Sequence, residues 1–181
     1  MRKVLYILGQ FDDTDIDWLA RQGRRQVLAP GSTLIRQGEP TPDLYIVIDG
    51  LLDVSVAGIG SVARLQAGEI IGEMSFVDSA PPSASVSVLA NSILLAICKE
   101  DIEARITDDP LFGYRFYKAL ALFLADRLRN AQKPRKPDGA VSSLSDDEVG
   151  VDEIDEKLLD TIAIAGDRFD RLVKAVDGKR L

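Results

Sequence analysis

The stretch from Ala67 to Val86, AGEIIGEMSFVDSAPPSASV, admits few folds. Gly68 and Glu69 lead into two β-branched residues, Ile70 and Ile71, and the period of a strand then stops at Gly72-Glu73. Met74, Ser75, Phe76 and Val77 have the spacing of a single helical turn. Asp78-Ser79-Ala80-Pro81-Pro82 must leave that turn, because proline lacks an N–H and disfavours helix before it. From Ser83 the alternation resumes as a new strand. Strand, glycine, helical turn, loop and strand together aim several backbone N–H groups at one spot, where the positive end of a short helix favours an anion. These residues predict a phosphate cradle.

The segments before and after it read as its support. Asp12 to Leu19 (DDTDIDWL) opens with capping acids and places Ile16 and Leu19 three apart, the mark of a short amphipathic helix, with Trp18 covering an edge of the β structure. Gln26-Val27-Leu28 and Thr33-Leu34-Ile35 flank Pro30-Gly31, and Gln37-Gly38-Glu39-Pro40 makes the next turn. Asp43 to Ile48 and Leu51 to Val56 are apolar runs on either side of Asp49-Gly50, a strong hairpin signal. With Ser61 to Leu65 and Ser92 to Ile97 the total reaches about eight short strands separated by turn residues, which argues for a β-roll or jelly-roll barrel. Lys99 starts a helix, Pro110 interrupts it, and Leu111 to Asn130 forms a longer one in which Tyr117, Leu120, Leu124 and Leu128 make an apolar stripe.

Composition removes whole classes of function. The chain has no histidine and one cysteine, Cys98, so the usual zinc, copper and non-haem iron ligand sets are missing, as are Ser-His and Cys-His nucleophile pairs. No enzyme is expected. A lone cysteine makes no intramolecular disulfide, which fits a reducing compartment, and Cys98 reads as core. The apolar run Val4 to Leu8 is too short for a signal peptide or a membrane span, so a cytoplasmic location without a membrane partner is expected. With 22 basic against 29 acidic residues, and no basic stripe, the electrostatic term behind nucleic-acid affinity is lacking. No nucleic-acid partner is expected.

The cassette resembles the phosphate-binding segment of the cyclic-nucleotide-binding domain family. Ile71-Gly72-Glu73-Met74-Ser75-Phe76 matches the first half of that family's pattern, and Pro81, Ser83, Ala84, Ser85 and Val86 match the second. PGSTLIRQGEPTPDLYIVIDGLLDVSV is similar to the family's opening strands, with Gly31, Gly38 and Gly50 on its glycine positions, so the resemblance spans roughly residues 5 to 130. It implies a mainly β fold with flanking helices, an eight-stranded β-roll of the cyclic-nucleotide-binding type followed by a C-terminal helix. It further implies a ligand site of Ile71, Gly72, Glu73, Met74, Ser75, Pro82, Ser83 and Ala84, with Glu73 accepting from a ribose hydroxyl and Ser83 touching phosphate. No cofactor beyond a cyclic nucleotide is implied. In one respect the cassette departs from the pattern: Pro82 stands where the family places the arginine that grips the phosphate.

Domain organisation follows from a change of composition. Residues 1–130 carry the domain, and Ala131 to Asp147 (AQKPRKPDGAVSSLSDD) concentrates Pro, Gly, Ser and charge as a linker. Residues 148–181 then hold an amphipathic helix. Leu158, Ile162, Ala165, Phe169, Leu172 and Val176 step by 4, 3, 4, 3 and 4, the rhythm of a helix seam. Fewer than three heptads rarely stand alone, so this interaction helix needs a partner surface. Two readings stay open. One is a regulatory module that does not hold cyclic AMP or GMP in the usual way and acts through a partner protein or self-association, using the Leu111–Asn130 and 152–176 helices. The other is a genuine cyclic-nucleotide receptor in which another arginine, such as Arg36 or Arg64, replaces the missing one.

Overall fold

In a computed structural model of the chain, residues 8–131 and 156–178 are described. Helix α1 (Asp13–Gln22) is followed by strands β1 (Arg24–Leu28), β2 (Thr33–Ile35), β3 (Asp43–Val56), β4 (Gly60–Gln66) and β5 (Ile70–Ile71). Then come helix α2 (Glu73–Asp78), strand β6 (Ser85–Cys98) and helices α3 (Lys99–Asp108), α4 (Pro110–Ala131) and α5 (Glu156–Asp177). All six strands belong to one antiparallel sheet built round the β3–β6 pair: β4 and β5 lie against β3, and β1 and β2 lie against β6.

The strand count is six and not eight, for a physical reason at Asp49-Gly50. The chain does not reverse there. Gly50 has φ +116°, and β3 runs on through it, paired with β6 on both sides while the register shifts between Val47 and Leu51. The glycine serves a bend in one long strand, and reversal waits for the turn at Ala57–Ile59. The expected hairpin is therefore corrected to a bulge, and two expected strands merge into one. Likewise the strands expected from Ser83 and from Ser92 are the two halves of β6.

Gly50 also lies where a side chain cannot go. A Cβ there would fall 2.6 Å from the Cα of buried Ser92, on top of the cost of positive φ for an L residue. Gly50→Ala is expected to cost about 3 kcal/mol, read as a lowered urea midpoint with an unchanged slope.

Residues 43–48 are buried without alternation because both faces of β3 are covered. Leu44, Ile46 and Ile48 face a core shared with the helices, where Ile16, Leu19, Phe112, Phe116 and Phe123 pack. Tyr45 and Val47 face a second core with Leu52, Leu65, Ile71, Val86 and Leu94. Cys98 is only partly buried, at the end of β6, and not core as the sequence suggested.

The helices start where the sequence places them. Asp12 and Asp15 form a reciprocal capping box at α1, and Trp18 packs its ring 5.3 Å from that of Phe112. Asp109 caps α4, accepting at 3.1 Å from the N–H groups of Leu111 and Phe112, ahead of which Pro110 costs no hydrogen bond. On the α4 stripe, Leu120 is buried, whereas Tyr117 and Leu128 are exposed.

The terminal helix finds its partner surface within its own chain. Ala165, Leu172 and Val176 are fully buried in the core that holds Leu8, Phe11, Ile16 and Leu19, and Phe169 packs partly against it. That seam is spent on α1 and is not open to a partner. The side chains of Leu158 and Ile162, and residues 132–155 with nearly all of the expected linker, lie outside the described residues.

Candidate functional site: the cassette between β5 and β6

The cassette has the outline its residues dictate. Ile71 is buried and ends β5, and Gly72 turns the chain with φ +88°. A Cβ on Gly72 would come within 3.1 Å of the Asp43 carbonyl oxygen, so glycine is needed for both conformation and close approach. Helix α2 then runs from Glu73 to Asp78, and the Gly72 carbonyl accepts from Phe76 N–H at 3.2 Å. Ser79, at φ 57°, ends it in the left-handed region. The return limb is pinned to the β2–β3 loop: Gly38 N–H donates to the Pro82 carbonyl at 2.9 Å, and Gln37 N–H donates to Ser85 Oγ at 3.0 Å.

Of the residues expected at the site, Ile71, Gly72 and Glu73 come together at the head of α2. Met74 points out, 49% exposed. Ser75 and Pro82 line a crevice of about 230 Å³ with Pro40, Thr41, Lys99 and Glu103. Ser83 is exposed and Ala84 half-buried, both on the return limb.

The carboxylate of Glu73 is 3% exposed and ion-paired with Arg127 of α4. The Arg127 guanidinium also lies 4.8 Å above the Phe123 ring, one helical turn back. A buried carboxylate without a partner is costly, so this cation does more than decorate the site. Sequence reasoning missed Arg127, since nothing in its spacing from Glu73 signals the contact. The local clue was Phe123 four residues earlier, which offers an aromatic shelf on the same helix face. Arg36 and Arg64 do not take this place. Both are exposed, Arg36 reaching only Glu39 at 4.0 Å, and Arg64 standing opposite Asp53 on β4.

A second group of charges lies behind the cassette. Asp43 accepts twice from Arg24 Nη2, at 2.8 and 3.0 Å. Burial pushes Lys99 below the usual lysine range, against the opposing pull of the Glu73, Asp43, Asp78 and Glu103 carboxylates. Burial likewise raises the Tyr45 hydroxyl, on the strand beside β5.

Six strands on one curled antiparallel sheet, with this cassette between the fifth and the sixth, are the frame of a cyclic-nucleotide-binding roll. The profile of the cyclic nucleotide-binding domain family matches residues 25–109, and that segment belongs to the family. A cyclic nucleotide-binding domain from Methylobacillus flagellatus shares the fold with TM-score 0.65 and 23% identity, over 71% of this chain and 78% of that one. The N-terminal domain of a transcriptional regulator from Streptomyces coelicolor A3(2) does so with TM-score 0.59 and 26% identity, over 71% and 94%. Among curated proteins, the cyclic AMP receptor protein of Thermus thermophilus is 32% identical over 121 residues, 65% of this chain and 54% of its own length. An uncharacterized NTE family protein of Mycobacterium tuberculosis is 30% identical over 132 residues, 72% of this chain but 22% of its own. The chain thus spans only part of the length of these relatives. No described helix is long and apolar enough to cross a membrane.

Proposed function

We propose that this chain is a non-enzymatic regulatory module that acts through protein contacts or self-association and does not hold cyclic AMP or cyclic GMP in the usual way. One observation carries the reading: the cassette has proline at position 82, and the buried carboxylate of Glu73 is already neutralised by Arg127. An incoming cyclic phosphate would meet N–H groups without a guanidinium on the cassette, and a sugar hydroxyl would have to share Glu73 with a cation. Isothermal titration of the wild-type chain with either nucleotide should show no binding tighter than about 100 μM. Low-micromolar affinity would sink this reading.

The second reading is favoured by the same ion pair. If a nucleotide binds, Arg127, the cation already paired with Glu73, is the candidate to stand in for the missing arginine, and Arg127→Gln would then abolish the affinity. No chemistry is assigned to the site. The chain has no histidine, and no cluster of metal-ligating side chains occurs among the described residues.

Self-association is supported by α4. Tyr114, Tyr117 and Leu128, with Ala121 between them, step along one side of this helix and are exposed. Alone in water, that side leaves more apolar surface uncovered than scattered exposed residues would. A parallel pairing of two copies would cover it, so light scattering at tens of micromolar protein should give a dimer mass. A monomer under these conditions would remove self-association and leave a different protein as the partner. The expectation of no nucleic-acid partner rests on the net charge of −7 and the lack of a basic stripe, and a structural neighbour described as a transcriptional regulator does not support it.

A further inference from the structure

The crevice beside the cassette is not the place where the family resemblance puts a nucleotide. It lies between the loop that follows α2 and the first turns of α3, with Lys99 and Glu103 of α3 on one wall and Phe76, Pro81 and Pro82 on another. Gly72, Glu73, Ser83 and Ala84, which match the family's sugar and phosphate contacts, do not line it. Phe76 belongs to the core shared with the helices, whereas the core built by strands alone contributes no residue to the crevice. At about 230 Å³ it is a second concave site, on the helix side of the sheet.

Its polar groups converge without bonding one another. Among the described residues, Lys99 Nζ makes no ion pair or hydrogen bond, and neither do the carboxylate of Glu103 and the hydroxyls of Ser75 and Ser79. Lys99 and Glu103 stand four apart on α3 and so share a face, in the order that is less favourable for pairing with each other. Four carboxylates act on Lys99 from farther off, but Glu73 is held by Arg127 and Asp43 by Arg24. Asp78 and Glu103 remain, two negative charges around one positive. A lone anion on Lys99 would be repelled by those two carboxylates, and a simple cation on Glu103 would leave the half-buried ammonium without an acceptor. We infer that the crevice binds a small zwitterion, a free α-amino acid with an apolar side chain, its carboxylate on Lys99 and its ammonium on Glu103. The hydroxyls of Ser75 and Ser79 complete the bonding, and the Phe76 ring with Pro81 and Pro82 receives the side chain. The site goes beyond the cassette and stands whether or not a cyclic nucleotide binds there.

Amide chemical shifts of the isotope-labelled full chain decide it, titrated in turn with L-leucine, L-phenylalanine and L-proline. At least one should give saturable shifts at Ser75, Ser79, Lys99 and Glu103, with a Kd of about 1 mM or tighter. For that amino acid, the N-acetyl derivative, which has lost the ammonium, and the amide, which has lost the carboxylate, should each bind about tenfold more weakly or worse. Lys99→Gln should erase the preference over the amide, and Glu103→Gln the preference over the N-acetyl derivative. Neither side chain bonds to another described residue, so both variants should keep the fold, seen as unchanged shifts in β6. The inference is overturned if none of the three probes gives saturable shifts at these residues by about 20 mM. It is equally overturned if the capped derivatives bind as well as the free amino acid, or if either variant leaves the corresponding preference intact.

Discussion

A chain ending at Ala131 should fold but melt about 10 to 15 °C below the full-length protein. Removing α5 takes away the fully buried Leu172 and Val176 and the half-buried Phe169, and it exposes the parts of Leu8, Phe11, Ile16 and Leu19 that they cover. At roughly 1.5 to 3 kcal/mol for each large buried side chain, less the ordering entropy that α5 no longer loses, the net cost is about 4 kcal/mol. That is a large part of the 5 to 15 kcal/mol typical of a domain, though not all of it. The roll itself should survive, because the core of Tyr45, Val47, Leu52, Leu65 and Leu94 draws on strands alone. Scanning calorimetry of both forms is the measurement. An unchanged midpoint would mean that α5 contributes nothing to the fold, and loss of any cooperative transition would mean that it is indispensable.

The repeat that marks α5 as amphipathic was plain in the sequence, but its partner was not. A seam stepping by fours and threes states that one face must be covered, and it does so identically whether the cover is another chain or the chain's own α1. What settles the matter is charge at a distance of some 150 residues, Arg168 and Arg171 against Asp13 and Asp17, which no local pattern carries. The same limit explains Arg127. Strand, glycine turn and short helix were legible at Ile71, Gly72 and Glu73 because backbone constraints act over a few residues, whereas the cation that neutralises Glu73 arrives from α4, 54 positions later. Asp49-Gly50 erred in the opposite direction. Its local signal is that of a two-residue hairpin, and tertiary pairing of β3 with β6 on both sides of the glycine overrode it.

Pro82→Arg should convert the weak or absent nucleotide binding of the wild type into measurable affinity, a gain of about 30-fold or more. The backbone at this position is already fixed, since the Pro82 carbonyl accepts from Gly38 N–H and the return limb is tied down again at Ser85. Arginine can adopt the φ that proline imposes, and the change adds a backbone N–H to the cassette rather than removing one. The new guanidinium would meet an anion on the N–H groups of α2 and could bind it through two parallel hydrogen bonds, which a lysine or a hydroxyl cannot. Glu73 is the competitor to watch, for it could turn from Arg127 to the new arginine and hold it away from the phosphate. Titrating Pro82→Arg with and without Arg127→Gln separates the two effects. If the double variant binds as well as the single one, Glu73 does not capture the new arginine, whereas weaker binding by the double variant would show that Glu73, released from Arg127, does. If neither form binds either nucleotide, the cassette has closed around its own ion pair, and the fold is retained for the surfaces of α4 and α5 instead.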